Sequence, residues 1–147
     1  MQRRSFIKTG CSLCLLTAAG MLLPTVSSMA MAKTKPFKAT INDQHQAEVP
    51  VALFEETTLQ IVRVKGTFYD IALHKEEDGS YKAFLMRCTH MDNQLQLTGD
   101  GFRCSLHGSE YDKTGAVTKG PAEMPMVTYA TTVNNDLILI NIPNNEE

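Results

Sequence analysis

Two cysteine–histidine pairs constrain this 147-residue chain more than anything else in it. Cys88-Thr89-His90 is followed, after 13 residues, by Cys104-Ser105-Leu106-His107. Each pair offers one soft thiolate and one imidazole from a single tight turn. A fold that uses both pairs must bring two loops face to face. The S2N2 donor set so formed suits zinc or an iron–sulfur cluster. Zinc fingers commonly draw ligands as a cysteine pair and a histidine pair, each with a longer internal gap. Mixed pairs match instead a two-iron centre in which two cysteines hold one iron and two histidines the other. One buried cysteine is an ordinary core residue; two such mixed pairs within twenty residues are not.

The stretch around these pairs, about residues 87–124, is poor in aliphatic side chains. It holds Gly99, Gly101, Gly108, Gly115, Gly120 and Pro121. A long loop-rich insert inside a small domain is usually functional. On either side of it the pattern is one of strands and tight turns. Phe37 to Ile41 is a short strand, and Leu59 to Val64 alternates as a half-buried strand should. Thr67 to Leu73 and Tyr81 to Met86 flank a hairpin turn at Glu77-Asp78-Gly79-Ser80, where Asp-Gly is the signal. Met126 to Val133, a turn at Asn134-Asn135-Asp136 and Leu137 to Ile142 repeat the plan. Residue 33 onward shows no long amphipathic helix. The expectation is an all-β fold, a small antiparallel β domain over 33–147 with a loop-rich cluster-binding subdomain.

The first 32 residues differ in kind. Arg3-Arg4-Ser5-Phe6-Ile7-Lys8 precedes an uncharged, moderately apolar run that ends in Ala30-Met31-Ala32. This layout is that of an export signal with an A-x-A cleavage site, and it resembles a twin-arginine signal. The run is also long enough to span a bilayer, so retention as an N-terminal anchor, and membrane association through it, stays open. Cys11-Ser12-Leu13-Cys14 lies inside this run and not near a βαβ pattern, which marks it as filler rather than a redox motif. Net charge is −2 overall. With Arg3, Arg4 and Lys8 set aside, residues 33–147 carry 11 basic and 16 acidic side chains, a net of −5. That excludes nucleic acid as a partner, since such binding needs a basic patch to displace counterions.

Residues 59–142 resemble the Rieske family. Besides the four candidate ligands Cys88, His90, Cys104 and His107, the run His107-Gly108-Ser109-Glu110-Tyr111-Asp112 looks like the family's second cluster loop. Gly115 and Gly120-Pro121-Ala122 resemble the loop that covers the cluster from a third side. The resemblance implies a 2Fe-2S cofactor of the Rieske type. It also implies that Ser109 and Tyr111 hydrogen-bond to cluster sulfurs and raise the potential, because such donors stabilise the electron-rich reduced form. Respiratory members of the family usually join their two loops by an extra disulfide. The corresponding places here are Asn93 and Leu106, so that staple is missing.

The expected function is that of an exported one-electron carrier, or the iron–sulfur subunit of a periplasmic or membrane oxidoreductase. The redox partner would be a cytochrome, a molybdenum oxidase or a quinol-oxidising complex. Rieske potentials fall at about −150 to +300 mV, and Ser109 and Tyr111 place this one in the upper half. The outer nitrogens of His90 and His107 are expected near the surface. No nucleotide loop, Ser-His-Asp arrangement or second metal cluster points to a substrate site. The rival reading is a zinc-stabilised β binding module without redox activity.

Overall fold

Alternation at period two decides which side of a sheet each residue covers. The computed structural model describes residues 35–99 and 101–144. The leader and Cys11-Ser12-Leu13-Cys14 lie outside them. The described chain runs β1 (Phe37–Ala39), β2 (Gln46–Pro50), a 3-10 turn (Val51–Phe54), β3 (Leu59–Val64), β4 (Ile71–Lys75) and β5 (Tyr81–Leu85). Then come β6 (Leu95–Leu97), β7 (Gly101–Cys104), β8 (Glu110–Asp112) and β9 (Val117–Lys119), and last β10 (Thr128–Tyr129), β11 (Thr131–Asn134) and β12 (Leu137–Asn141). The all-β class expected from the sequence is what forms. Among the described residues no helix is long and apolar enough to cross a membrane.

Three sheets result: β1-β3-β4-β5-β10, β11-β12-β2 and β6-β7-β8-β9. All pairings are antiparallel except β1 with β3, which is parallel. The five-stranded sheet is covered on both faces, which is why β4 is buried at three successive residues. One face sends Val62, Val64, Ile71, Leu73, Ala83 and Leu85 into a core shared with Ala47, Val49, Ile138 and Ile140 of the three-stranded sheet. The other sends Ile61, Ala72, Phe84 and Met86 into a second core. Cys88, Leu95, Phe102, Cys104 and Tyr111 join that second core together with Ala122 and Met126, so the sheet is the floor on which the candidate site stands.

Three readings of the sequence change in detail. The strand expected from Thr67 begins only at Ile71. Thr67 Oγ1 lies 3.2 Å from the carbonyls of both Val64 and Tyr69, closing a turn, and Phe68 is 81% exposed. The strand expected over Met126 to Val133 breaks at Ala130, where the chain leaves one sheet for another. The insert at 87–124 is more ordered than its glycines suggest, since it contains a four-stranded sheet of its own.

Gly101 opens β7 directly against β8. A methyl group there would collide with the Tyr111 carbonyl oxygen and come within 2.8 Å of Asp112 Cα, all backbone that cannot move aside. Gly101→Ala is therefore expected to destabilise the fold by about 1–3 kcal/mol, the usual cost of overpacking. Denaturant unfolding followed by circular dichroism measures it.

Candidate metal centre

Both cysteines sit at the start of a six-residue turn closed by its own backbone. Cys88 N–H donates to the Asn93 carbonyl at 2.9 Å, and Cys104 N–H to the Ser109 carbonyl at 2.8 Å. In the second turn Gly108 takes φ +79°, a left-handed conformation open to glycine at little cost. The first turn is bolted to the sheet below. Arg63 grips Asp70 with two bonds of 2.7 and 2.6 Å. The Asp70 carbonyl accepts from Met86 N–H at 2.9 Å, and Asp70 N–H donates to Gln94 Oε1 at 3.1 Å.

These turns sort the four candidate ligands by type. Cys88 and Cys104 are each 1% exposed, while His90 and His107 are exposed. Both thiols belong to one buried cluster with Phe102 and Tyr111. The two imidazoles stand edge to face with ring centroids 5.0 Å apart. The thiols thus share the buried side of the site, and the imidazoles pair on its exposed side. Among the described residues no three His, Cys, Asp or Glu side chains gather as a single-ion site would require.

The electrostatics prepare a thiolate. Burial pushes the Cys88 thiol up, but the N–H groups of Met91 and His90, the Tyr111 hydroxyl and Cys104 together bring it down to about 7. A thiolate is the form that binds metal. Burial, opposed by Thr89 and reinforced by Cys88, raises the Tyr111 phenol. It therefore keeps its proton as a donor at neutral pH.

Tyr111 lies at the hub of the polar network. Its oxygen is 3.6 Å from Cys88 Sγ, accepts from Thr89 N–H at 3.1 Å and lies 3.0 Å from Thr89 Oγ1. Thr89 Oγ1 donates its proton to the Met124 carbonyl at 2.6 Å. A hydroxyl has one proton to give, so the Tyr111 proton goes to Thr89 Oγ1 or to Cys88 Sγ. Ser109 is fully buried, and its Oγ accepts from Ala122 N–H at 3.0 Å. That bond ties the Gly120-Pro121-Ala122 loop to the second turn.

All six residues singled out from the sequence meet in this region. Reading the sequence missed Thr89 and Asn93. Asn93 Nδ2 lies 3.6 Å from Cys104 Sγ and 3.2 Å from the Gln94 carbonyl. His45 and His74 stand apart from the site. His45 is exposed, and His74 Nδ1 faces Glu76 at 3.4 Å.

A small all-β floor carrying two facing turns, with paired thiols and paired imidazoles, defines a class of iron–sulfur domain with mixed ligands. The family model described as Rieske [2Fe-2S] domain matches residues 30–130, and the chain belongs to that family. Its cofactor is a 2Fe-2S cluster.

The chain is similar to the cytochrome b6-f complex iron-sulfur subunit of Nostoc punctiforme, at 36% identity over 55 residues. That match covers 36% of this chain and 31% of the relative. It is also similar to the 5,5'-dehydrodivanillate O-demethylase oxygenase subunit of Sphingobium, at 34% identity over 73 residues, covering 48% of this chain and 17% of that one. The matches thus span a third or less of these curated relatives. Among solved structures, the cyanobacterial plasma membrane Rieske protein PetC3 from Synechocystis PCC 6803 superposes with a TM-score of 0.53 at 27% identity. That likeness covers 63% of this chain and 95% of the other.

Proposed function

We propose that Cys88 and Cys104 hold one iron of the cluster and His90 and His107 the other, in an exported one-electron transfer protein or oxidoreductase subunit. The carrying observation is the sorting of donors: two thiols buried in one core, and two exposed imidazoles with their rings 5.0 Å apart. Bound there, the cluster supplies a one-electron couple, about −150 to +300 mV for this ligand set.

The chain's own residues do the rest. Cys88, held near its thiolate form, is ready to bind metal at neutral pH. Tyr111 keeps its proton beside Cys88 Sγ. Ser109, whose oxygen is already an acceptor, retains its own proton to give. Both lower the energy of added negative charge at the sulfurs. His90 and His107 bring the site to the surface, where a partner can approach.

Around them lie Met91, 52% exposed, Leu106, 54% exposed, and Met124, 65% exposed, one from each loop. Apolar residues exposed together mark an interaction surface. A redox protein that covers them would exclude water from the two imidazoles. The leader at 1–32 supports export to the periplasm or to the outer face of the cytoplasmic membrane.

One preparation tests this reading. The full chain is expressed with its leader in a bacterium competent for twin-arginine export, and the periplasmic and membrane fractions are collected. Two irons per chain and a rhombic electron paramagnetic resonance signal after dithionite reduction are expected there. A colourless protein with one zinc overturns the reading in favour of a zinc-stabilised module. Iron-loaded protein confined to the cytoplasm overturns the export half alone.

A further inference from the structure

We propose that Asn93 is a positioning residue of the redox centre, a hydrogen-bond donor to the Cys104 ligand that takes over part of the work of the missing disulfide. The inference rests on the ligand assignment above and goes beyond it. Its first support is geometric. Asn93 Nδ2 faces two acceptors at once, Cys104 Sγ at 3.6 Å and the Gln94 carbonyl at 3.2 Å. An amide nitrogen carries two protons and can serve both, whereas an amide oxygen turned the same way would meet two acceptors with nothing to give. The partners therefore fix which end of the amide faces the sulfur.

Its second support is the symmetry of the network. Tyr111, just past the second turn, reaches back to Cys88 of the first. Asn93, closing the first turn, reaches across to Cys104 of the second. Each thiol thus has a polar group from the opposite segment beside it, and the two contacts cross. Asn93 stands where family members with a disulfide place one of its cysteines. Leu106, at the other place, is exposed and serves no such tie. The crossed contacts link the two turns, and the Asn93 N–H, unlike a disulfide, acts electrostatically on the Cys104 sulfur.

The consequence is directional. A donor aimed at a cysteine sulfur favours the electron-rich reduced state, so removing it lowers the midpoint potential. The Cys88 N–H bond to the Asn93 carbonyl is backbone and survives substitution. The turn therefore keeps its closure in Asn93→Leu, which loses both side-chain N–H groups. Asn93→Asp keeps the shape but replaces the donor with a charged acceptor.

The test is a redox titration, followed by paramagnetic resonance, of the full native chain and both variants, with iron counted on each. Asn93→Leu is expected to keep two irons and lower the reduction equilibrium constant about tenfold, or 59 mV for one electron. Asn93→Asp is expected to lie lower still. Unchanged potentials in iron-replete variants overturn the inference and leave the cluster assignment standing. A native chain without iron overturns both.

Should the variants lose iron, the native protein labelled with 15N at asparagine side chains decides the matter. A 15N coupling to the reduced centre in pulsed paramagnetic resonance supports the bond, and its absence overturns it.

Discussion

Cys104→Ser is expected to yield a folded chain with about a tenth of the native iron or less. Loss of even an outer hydrogen-bond partner typically costs about 10–100-fold in metal affinity, and a ligand loss should cost at least as much. The substitution barely changes volume, so no large cavity opens. What changes is chemical: a hard hydroxyl replaces a soft thiolate, and Asn93 loses its sulfur acceptor. The core that joins the five-stranded sheet to the three-stranded sheet contains neither cysteine. Far-ultraviolet circular dichroism should therefore keep its β signature while the visible absorbance disappears. Iron analysis and the two spectra on one sample check this. A Cys104→Ser protein that retained two irons would remove Cys104 from the ligand set.

The second large effect is expected from Tyr111→Phe. The ring stays and keeps its place in the core with Phe102 and Cys88, so only the hydroxyl is lost. Tyr111 is 2% exposed, and water does not easily take its place. A net hydrogen bond is worth about 0.5–1.5 kcal/mol, which for one electron corresponds to a fall of about 20–65 mV in midpoint potential. The sign follows from where the hydroxyl proton can go: with the Thr89 Oγ1 proton committed to Met124, the phenol can donate to Cys88 Sγ, and losing that donor makes the reduced state harder to form. Burial and the neighbouring thiol raise the phenol above its ordinary value near 10, so the gap between native and variant should persist from about pH 6 to pH 10. Potentiometric titration at several pH values measures it. Thr89 has a second anchor in the Met124 carbonyl, which limits how far the first turn can relax. A combined variant with Asn93→Leu should show whether the two donors act independently.

The candidate ligands were legible because their chemistry is carried by residue type and spacing alone. β3 was legible from its β-branched residues, but the half-buried expectation was not met: Ile61 enters one core and Val62 and Val64 the other, since the sheet is covered on both faces. Thr67 to Tyr69 misled in another way: aromatic residues look like core, yet Phe68 points into solvent and the segment is a turn. β2 offered only Ala47 and Val49 as apolar residues and ends in Pro50. Its strand character comes from pairing with β12, which no local pattern announces. β6 to β9 are only three or four residues long, at or below the shortest run that alternation can reveal, and charged or glycine residues enter β7, β8 and β9. Asn93 and Thr89 were invisible for a subtler reason. Polar residues in turns usually bond to nearby backbone, and only the fold brings Cys104 to one and Tyr111 and Met124 to the other.

The pairing of β2 with β12 sets when this protein can mature. Gln46 lies opposite Asn141 and Pro50 opposite Leu137, so residues near the two ends of the described chain seal one sheet. Everything that builds the metal centre lies between them in sequence. A growing chain on the ribosome can pair β3, β4 and β5 as they emerge, but β2 waits for β12, which follows the whole metal centre in sequence. Contacts so distant in sequence form slowly. The core that backs the floor is therefore sealed only after every residue of the metal centre has been made.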